Sequence, residues 1–174
     1  MTQRATTEAG PQGLASRLMD AGALTSDWLP TYRAVLRESF VPDVIWPGVG
    51  PADGGPVASI DRQTEPEVWF RAVYSDTALT TQWDDGSHVG AARGIVPTCS
   101  NSQPTMVFSM LAALDVQPGA KVLEVGTGTG WNAALLSERV GSENVTTIEF
   151  DPENAATARA RLHAAWVQPG GRGR

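Results

Sequence analysis

Between residues 121 and 136 the chain reads KVLEVGTGTGWNAALL. Gly126, Gly128 and Gly130 alternate with Thr127 and Thr129, behind an acid, Glu124, and ahead of a bulky pair, Trp131 and Asn132. Glycines so spaced permit backbone angles closed to other residues and remove the Cβ atoms that would hold a ligand off the main chain. They also leave N–H groups pointing outward at a helix start. An anionic group belongs there. A second acid, Glu149, lies 23 residues beyond Gly126, where a strand-end carboxylate can accept hydrogen bonds from both hydroxyls of a ribose. Spacing then narrows the ligand. A dinucleotide turn is G-x-G-x-x-G, and here Trp131 and then Asn132 occupy the place of its third glycine. No Gly-Lys-Ser/Thr follows, which removes a Walker phosphate loop. What remains is a ligand without phosphate.

The flanking segments supply the elements that such a turn needs. Val122, Leu123 and Val125 form the near-continuous apolar run of a central parallel strand covered on both faces. WNAALLSERV predicts a helix with Trp131, Leu135 and Val140 inward, NVTTIEF a second strand, and PENAATARARLHAAW a second helix opened by Pro152. Strand, helix, strand, helix is the start of a doubly wound α/β sheet, whose first turn is where a nucleotide-like ligand sits. Upstream, GLASRLMDAGAL and a segment from Ser26 or Asp27 through Leu29, Tyr32, Leu36 and Phe40 carry helical spacing. Pro47 to Pro56 reads as a loop. From Val57 to Trp83, short runs such as VASI, VWFRAVYS and ALTTQW, rich in β-branched and aromatic residues, read as a small strand-and-loop region, and Asp-Gly at 85 and 86 marks a turn. Residues 84–101 are polar and Gly-rich, and after Pro104 a helix is expected with Val107, Met110, Leu111 and Leu114 on one face. The organisation read from this is a disordered start over 1–12, a helical and strand-loop region over 13–95, a nucleotide-type α/β unit over 96–166 and a Gly/Arg tail over 167–174.

Composition excludes several other classes. With 174 residues, of which 41% are hydrophobic and 18% charged, the chain is long enough for one domain with a sizeable core. A formal charge of −6 argues against a nucleic-acid partner. The first 25 residues have no signal-peptide core and no later stretch approaches a membrane span, so a cytoplasmic protein is expected. One cysteine, Cys99, excludes an internal disulfide, and neither it nor His88 has the spaced partners of a metal site or nucleophilic dyad. His163 is expected on a solvated helix face, and Asp84 and Asp85 as turn formers. The six tryptophans read mostly as core, with Trp69 or Trp83 able to line a peptide groove.

Glu124-Val-Gly126-Thr127-Gly128-Thr-Gly130 resembles motif I, E/D-x-G-x-G-x-G, of the S-adenosyl-L-methionine-dependent methyltransferases. The longer stretch SNSQPTMVFSMLAALDVQPGAKVLEVGTGTGWNAALL resembles the protein-L-isoaspartate O-methyltransferase family, in which a Ser-x-Pro segment precedes a helix leading into motif I. Ser102-Gln103-Pro104 matches that segment, and Trp131 stands where an aromatic residue is common in the family. Phe40-Val41-Pro42 and Tyr74-Ser75-Asp76 are similar to family positions near the acceptor site. The resemblance is close over residues 96–166 and thinner elsewhere. VIWP and WFRAVYSD look more like a branch associated with peptide maturation than the housekeeping repair enzyme.

The resemblance implies a Rossmann-like class I methyltransferase fold and S-adenosyl-L-methionine as cofactor, held by Glu124, Gly126, Thr127, Gly128, Gly130, Trp131 and Glu149. It implies carboxyl O-methylation of an Asp or isoAsp side chain in a protein or precursor peptide, with Ser102 holding the acceptor through its hydroxyl. A carboxylate with a free pKa near ~4 is already ionised at neutral pH, so no strong base and no metal is needed. Each residue also has a plainer role: Ser102 as a cap or turn residue, Glu124 as a strand-end carboxylate capping nearby N–H groups, Glu149 as a solvated loop acid.

A sheet of this class has about seven strands, and the sequence supplies the first two β-α units. A truncated chain is therefore expected, its unfinished sheet edge pairing with another chain. The rival readings are a non-catalytic fragment that binds a peptide or a complete homologue and, more weakly, an NAD-dependent oxidoreductase.

Overall fold

The computed structural model describes residues 9–48 and 58–167. The expectations for residues 1–8, for most of the Pro47–Pro56 loop and for the tail from 168 onward lie outside them. The helices are α1 (Pro11–Asp20), α2 (Leu29–Ala34), α3 (Pro66–Val73), α4 (Pro104–Leu114), α5 (Trp131–Val140) and α6 (Pro152–Val167). A 3-10 turn spans Arg37–Phe40. The strands are β1 (Val44–Pro47), β2 (Ile60–Asp61), β3 (Leu79–Trp83), β4 (Pro97–Asn101), β5 (Val122–Val125) and β6 (Val145–Ile148). All the α-helices except α5 open on a proline in the first turn, where the missing N–H is one the helix cannot use and the fixed φ suits it.

Two sheets form. The first is antiparallel, in the order β2-β1-β3-β4, with Trp46 opposite Thr80 and Leu79 opposite Asn101. The second is the parallel pair β5-β6, in register from Val122↔Val145 to Val125↔Ile148. One core joins them: Leu14 and Leu18 of α1, Tyr32 of α2, Ile45 of β1, Trp69 and Val73 of α3, Phe108 of α4, and Trp131 and Leu135 of α5 are buried together. Each such large side chain contributes about 1.5–3 kcal/mol on leaving water. The parallel unit is thus seated on the N-terminal region.

Several expectations change. The run VWFRAVYS, residues 68–75, expected in a strand-and-loop region for its β-branched and aromatic content, instead falls mostly in α3, because Trp69 and Val73 stand one turn apart and both are buried. Residues 97–101, read as loop, form β4, which pairs with β3, so the boundary drawn at residue 95 cuts through a sheet. Helix α1 begins at Pro11, inside the start expected to be disordered, and the second N-terminal helix is broken at Val35 into α2 and the 3-10 turn. In α4 the buried face is Val107, Phe108 and Leu111, while Met110 and Leu114 are exposed. Strand β5 is not covered on both faces: Leu123 and Val125 are 64% and 76% exposed, since among the described residues only one face is packed and only β6 pairs with it. No helix among the described residues is long and apolar enough to cross a membrane.

Candidate functional site

The glycine turn leaves β5 at Val125 and enters α5 at Trp131. Its three glycines have φ of +88° (Gly126), +53° (Gly128) and +91° (Gly130), the left-handed region that favours glycine. The N–H groups of Gly126 and Thr127 both donate to the Ile148 carbonyl, which folds the turn over the end of β6. A Cβ on Gly130 would lie 3.4 Å from the Ala158 Cβ, so helix α6 packs directly on the turn there. A Cβ on Gly128 would lie 3.6 Å from Cys99 Sγ and 3.7 Å from the Ser100 carbonyl oxygen, which places β4 over the turn. Around Gly126 nothing comes within 4 Å.

The two acids do different work. Glu124 is half-buried and spends both oxygens on side chains: Oε1 accepts from Asn132 Nδ2 (2.7 Å) and Oε2 from the Thr147 hydroxyl (2.5 Å). A hydroxyl has one proton, so Thr147 must in turn accept from Thr127 Oγ1 at 2.6 Å. Strand, turn and helix start are thereby tied in one chain of bonds. Burial pushes the Glu124 carboxyl pKa up, against the pull of these bonds. Glu149 closes over the turn instead: Oε2 accepts from the Gly128 N–H at 2.8 Å and Oε1 from the Asp151 N–H at 3.1 Å. The negative charge expected at the turn is thus supplied in part by the chain itself. Helix α5 begins with no side-chain cap and no acid in its first turn, leaving its positive end available to an anionic group.

The Ser102-Gln103-Pro104 segment is held by residues distant in sequence. Arg37, only 1% exposed, donates to Asn101 Oδ1 and to the carbonyls of Val73, Ser75, Thr77, Asn101 and Ser102. Its guanidinium also lies 5.3 Å from the centre of the Trp131 ring. Asn101 passes the connection on by donating to Thr129 Oγ1 at 2.9 Å, so the acceptor segment and the glycine turn share one buried network. Asp76 caps α4 from outside, accepting from the Thr105 N–H (2.8 Å), the Thr105 hydroxyl (2.6 Å) and Gln103 Nε2 (3.3 Å). Burial pushes the Asp76 carboxyl up, but these bonds outweigh it and hold its pKa below the ordinary 3.8. A carboxyl depressed on folding contributes stability above its unfolded value and loses it as the pH falls through the folded one. Asp76→Asn is therefore expected to cost about 1 kcal/mol at neutral pH. It should also flatten the loss of stability that the parent shows below pH 3.8, both read from urea denaturation across pH.

The expected site residues thus fall into two sets. Gly126, Thr127, Gly128, Gly130 and Glu149 gather at the turn, with Glu124 behind them; Ser102 is exposed, one residue beyond β4, and does not cap α4. The Trp131 ring is apart from these, buried in the core edge-on to Phe108. His88 Nε2 bonds the Ala92 carbonyl, and His163 is exposed as expected. Asp84 and Asp85 form a turn at φ +52°. Trp69 donates to the Pro42 carbonyl and is buried, while Trp83 borders a cleft. Among the described residues no group of three or more His, Cys, Asp or Glu residues could hold a metal. Arg37, Asn101 and Thr129 were missed. An arginine and an asparagine beside polar neighbours give no local sign of burial, though Arg37 three residues before Phe40-Val41-Pro42 was a place to look.

The sequence profile of the protein-L-isoaspartate(D-aspartate) O-methyltransferase family matches residues 56–168. The chain is 43% identical over 100 residues to a protein-L-isoaspartate O-methyltransferase of Ignicoccus hospitalis, covering 57% of this chain and 41% of that protein. It is 53% identical over 100 residues to protein-L-isoaspartate O-methyltransferase 2 of Archaeoglobus fulgidus, covering 57% and 39%. The chain spans about two fifths of the length of these curated relatives. Among solved structures, a protein-L-isoaspartate O-methyltransferase superposes with a TM-score of 0.59 at 22% identity, over 91% of this chain and 39% of that one. A Plasmodium falciparum structure, described as a putative protein-L-isoaspartate O-methyltransferase in complex with S-adenosyl-L-homocysteine, gives 0.55 at 16% identity over 88% and 55%. These two likenesses establish the α/β, Rossmann-like class I methyltransferase fold. With the profile match over most of its length, the chain belongs to the protein-L-isoaspartate(D-aspartate) O-methyltransferase family.

Proposed function

We propose that this chain binds S-adenosyl-L-methionine at the 126–130 turn and presents it to a carboxylate of an aspartyl or isoaspartyl residue in a protein or precursor peptide. The observation that carries the reading is the turn itself: open space at Gly126, an uncapped start to α5, and the Glu149 carboxylate at the end of β6. These features fit the cofactor. Open main chain suits close approach, the helix start suits the carboxylate of a methionyl group, and Glu149 has lone pairs left for ribose hydroxyls. When bound, the cofactor supplies an electrophilic methyl group on sulfur.

The chain's own residues then bind and orient. Glu124, through Asn132 and Thr147, and Trp131, through the core, fix the turn, while Gly126, Thr127, Gly128 and Gly130 form its floor. Ser102 donates its hydroxyl to the acceptor carboxylate, which is already ionised and needs no base. The network from Arg37 through Asn101 to Thr129 keeps Ser102 in register with the turn, the positioning on which transfer between two bound partners depends. A reaction of this kind suits the cytoplasm, where the single thiol of Cys99 stays reduced.

The test is transfer of labelled methyl from S-adenosyl-L-methionine to isoaspartyl and aspartyl peptides as a base-labile ester. Ser102→Ala is expected to slow turnover about tenfold or more with cofactor affinity unchanged. An isoaspartyl peptide that gains no ester, alongside an aspartyl peptide that gains none, sinks the reading. The exposed Leu123 and Val125 favour a second one, in which the chain acts when further strands pair with β5. Ester formation only after addition of a longer homologue would support it.

A further inference from the structure

Strands β1 and β3 border helix α6 across a cleft of about 300 Å3. Glu153, Thr157 and Arg161 follow at four-residue intervals on one face of α6 and line it, with Trp46, Trp83 and His88 contributed by the antiparallel sheet and the loop after it. Of the glycine turn only Thr129 borders this space, so it is distinct from the proposed cofactor site. The cleft is dipolar. Glu153 and Arg161 lie about 12 Å apart along the helix, and the Glu153 carboxylate is at the Gly86 end, 3.9 Å from where a Cβ on Gly86 would sit.

Two donors in the lining have no partner among the described residues. The Trp83 indole N–H, on a residue 8% exposed, meets no acceptor. The Arg161 guanidinium makes no hydrogen bond or ion pair; burial disfavours its charge, with Cys99 and Asp43 acting the other way. Of the other polar lining residues, Asn154 donates to Gln82 Oε1 at 3.0 Å, Gln82 donates to Asp151 Oδ2 at 2.9 Å, and Thr129 Oγ1 accepts from Asn101 at 2.9 Å. A ligand therefore has to bring an anionic acceptor to Arg161 and a neutral one to the indole, with apolar atoms against the two tryptophans. A peptide carrying an acidic side chain offers all three in one piece: carboxylate, backbone carbonyl and methylene stem.

We propose that this cleft is a docking subsite for an acidic residue of the acceptor polypeptide, whose carboxylate pairs with Arg161 while a backbone carbonyl accepts from the Trp83 indole. The assignment rests on the methyltransferase reading for its partner but is read by binding alone. The probes are the labelled peptide Ala-Glu-Ala-isoAsp-Gly-Ala-Glu-Ala and its counterpart with glutamine for both glutamates, each titrated by fluorescence anisotropy. The parent is expected to bind the glutamate peptide about tenfold tighter, the size of one charge-assisted hydrogen bond at a half-open site. Arg161→Met should remove the preference, Trp83→Phe should weaken both peptides alike, and neither should change affinity for S-adenosyl-L-homocysteine.

Equal affinity of the two peptides for the parent overturns the proposal, as does a preference that survives Arg161→Met. Because the peptide pair is compared on the parent, a variant that fails to fold leaves this test intact. Competition by free N-acetylglutamate amide as strong as by the peptide would assign the cleft to a free carboxylate and overturn the peptide assignment. A parent that prefers the glutamate peptide yet transfers no methyl refutes the activity and not the subsite.

Discussion

Arg37→Met is expected to lower the stability of the chain by more than about 3 kcal/mol, a large share of the 5–15 kcal/mol that holds a domain folded. The side chain is 1% exposed and serves six acceptors, five of them carbonyls in the 73–77 and 101–102 segments. Methionine fills most of the volume and satisfies none of them. Burial pushes the Arg37 pKa down to about 10, with Asp76 opposing, so it remains a cation at neutral pH. Arg37→Lys keeps the charge but offers three donors from one point where the native fork serves residues on several segments, and should recover only part of the loss. Urea denaturation followed by tryptophan fluorescence measures both. A methionine variant that unfolds at the parent's midpoint would show that the network is not what ties the two halves together.

The second large effect concerns the turn. Gly128→Arg is expected to weaken binding of S-adenosyl-L-homocysteine by roughly 100-fold or more. The residue sits at φ +53° with β4 on its side-chain side, Cys99 Sγ 3.6 Å and the Ser100 carbonyl 3.7 Å from a Cβ. A long side chain must push β4 and the turn apart, straining the Gly128 N–H bond to Glu149, or swing into the ligand's space. Gly119→Ala is the control, because Gly119 has φ +82° with nothing within 4 Å and lies outside the turn. It should show the cost of a left-handed alanine without the loss of affinity. Unchanged affinity in Gly128→Arg would remove the ligand from this turn.

The parallel unit was legible because its signals are local. A run of apolar residues, three glycines and a helical repeat each lie within about ten residues, and β5, α5, β6 and α6 form where those signals place them. The antiparallel sheet was harder. In β4 the inward positions are Cys99 and Asn101, so no apolar alternation marks the strand. Helix α3 misled because Val, Trp, Phe and Tyr favour strands in general, whereas Pro66 and the Trp69–Val73 spacing decide this case. The acceptor-side supports were hidden for a different reason. Arg37 and Asp76 act on groups 27 to 65 residues away, and no pattern within one segment reports such partners. The family resemblance pointed to Asp76; it gave no sign of Arg37. Composition alone left Trp69 and Trp83 equal candidates for a groove; Trp69 is buried in the core, and Trp83 borders the cleft that Arg161 also lines.

The most direct test of the central claim, that residues 126–130 and Glu149 form a site for S-adenosyl-L-methionine, is a calorimetric titration of the folded chain with S-adenosyl-L-homocysteine, with NADH in parallel. The account predicts saturable binding of one S-adenosyl-L-homocysteine per chain and no heat from NADH beyond dilution. A folded chain that gives no heat with S-adenosyl-L-homocysteine, or that binds NADH more tightly, would contradict it.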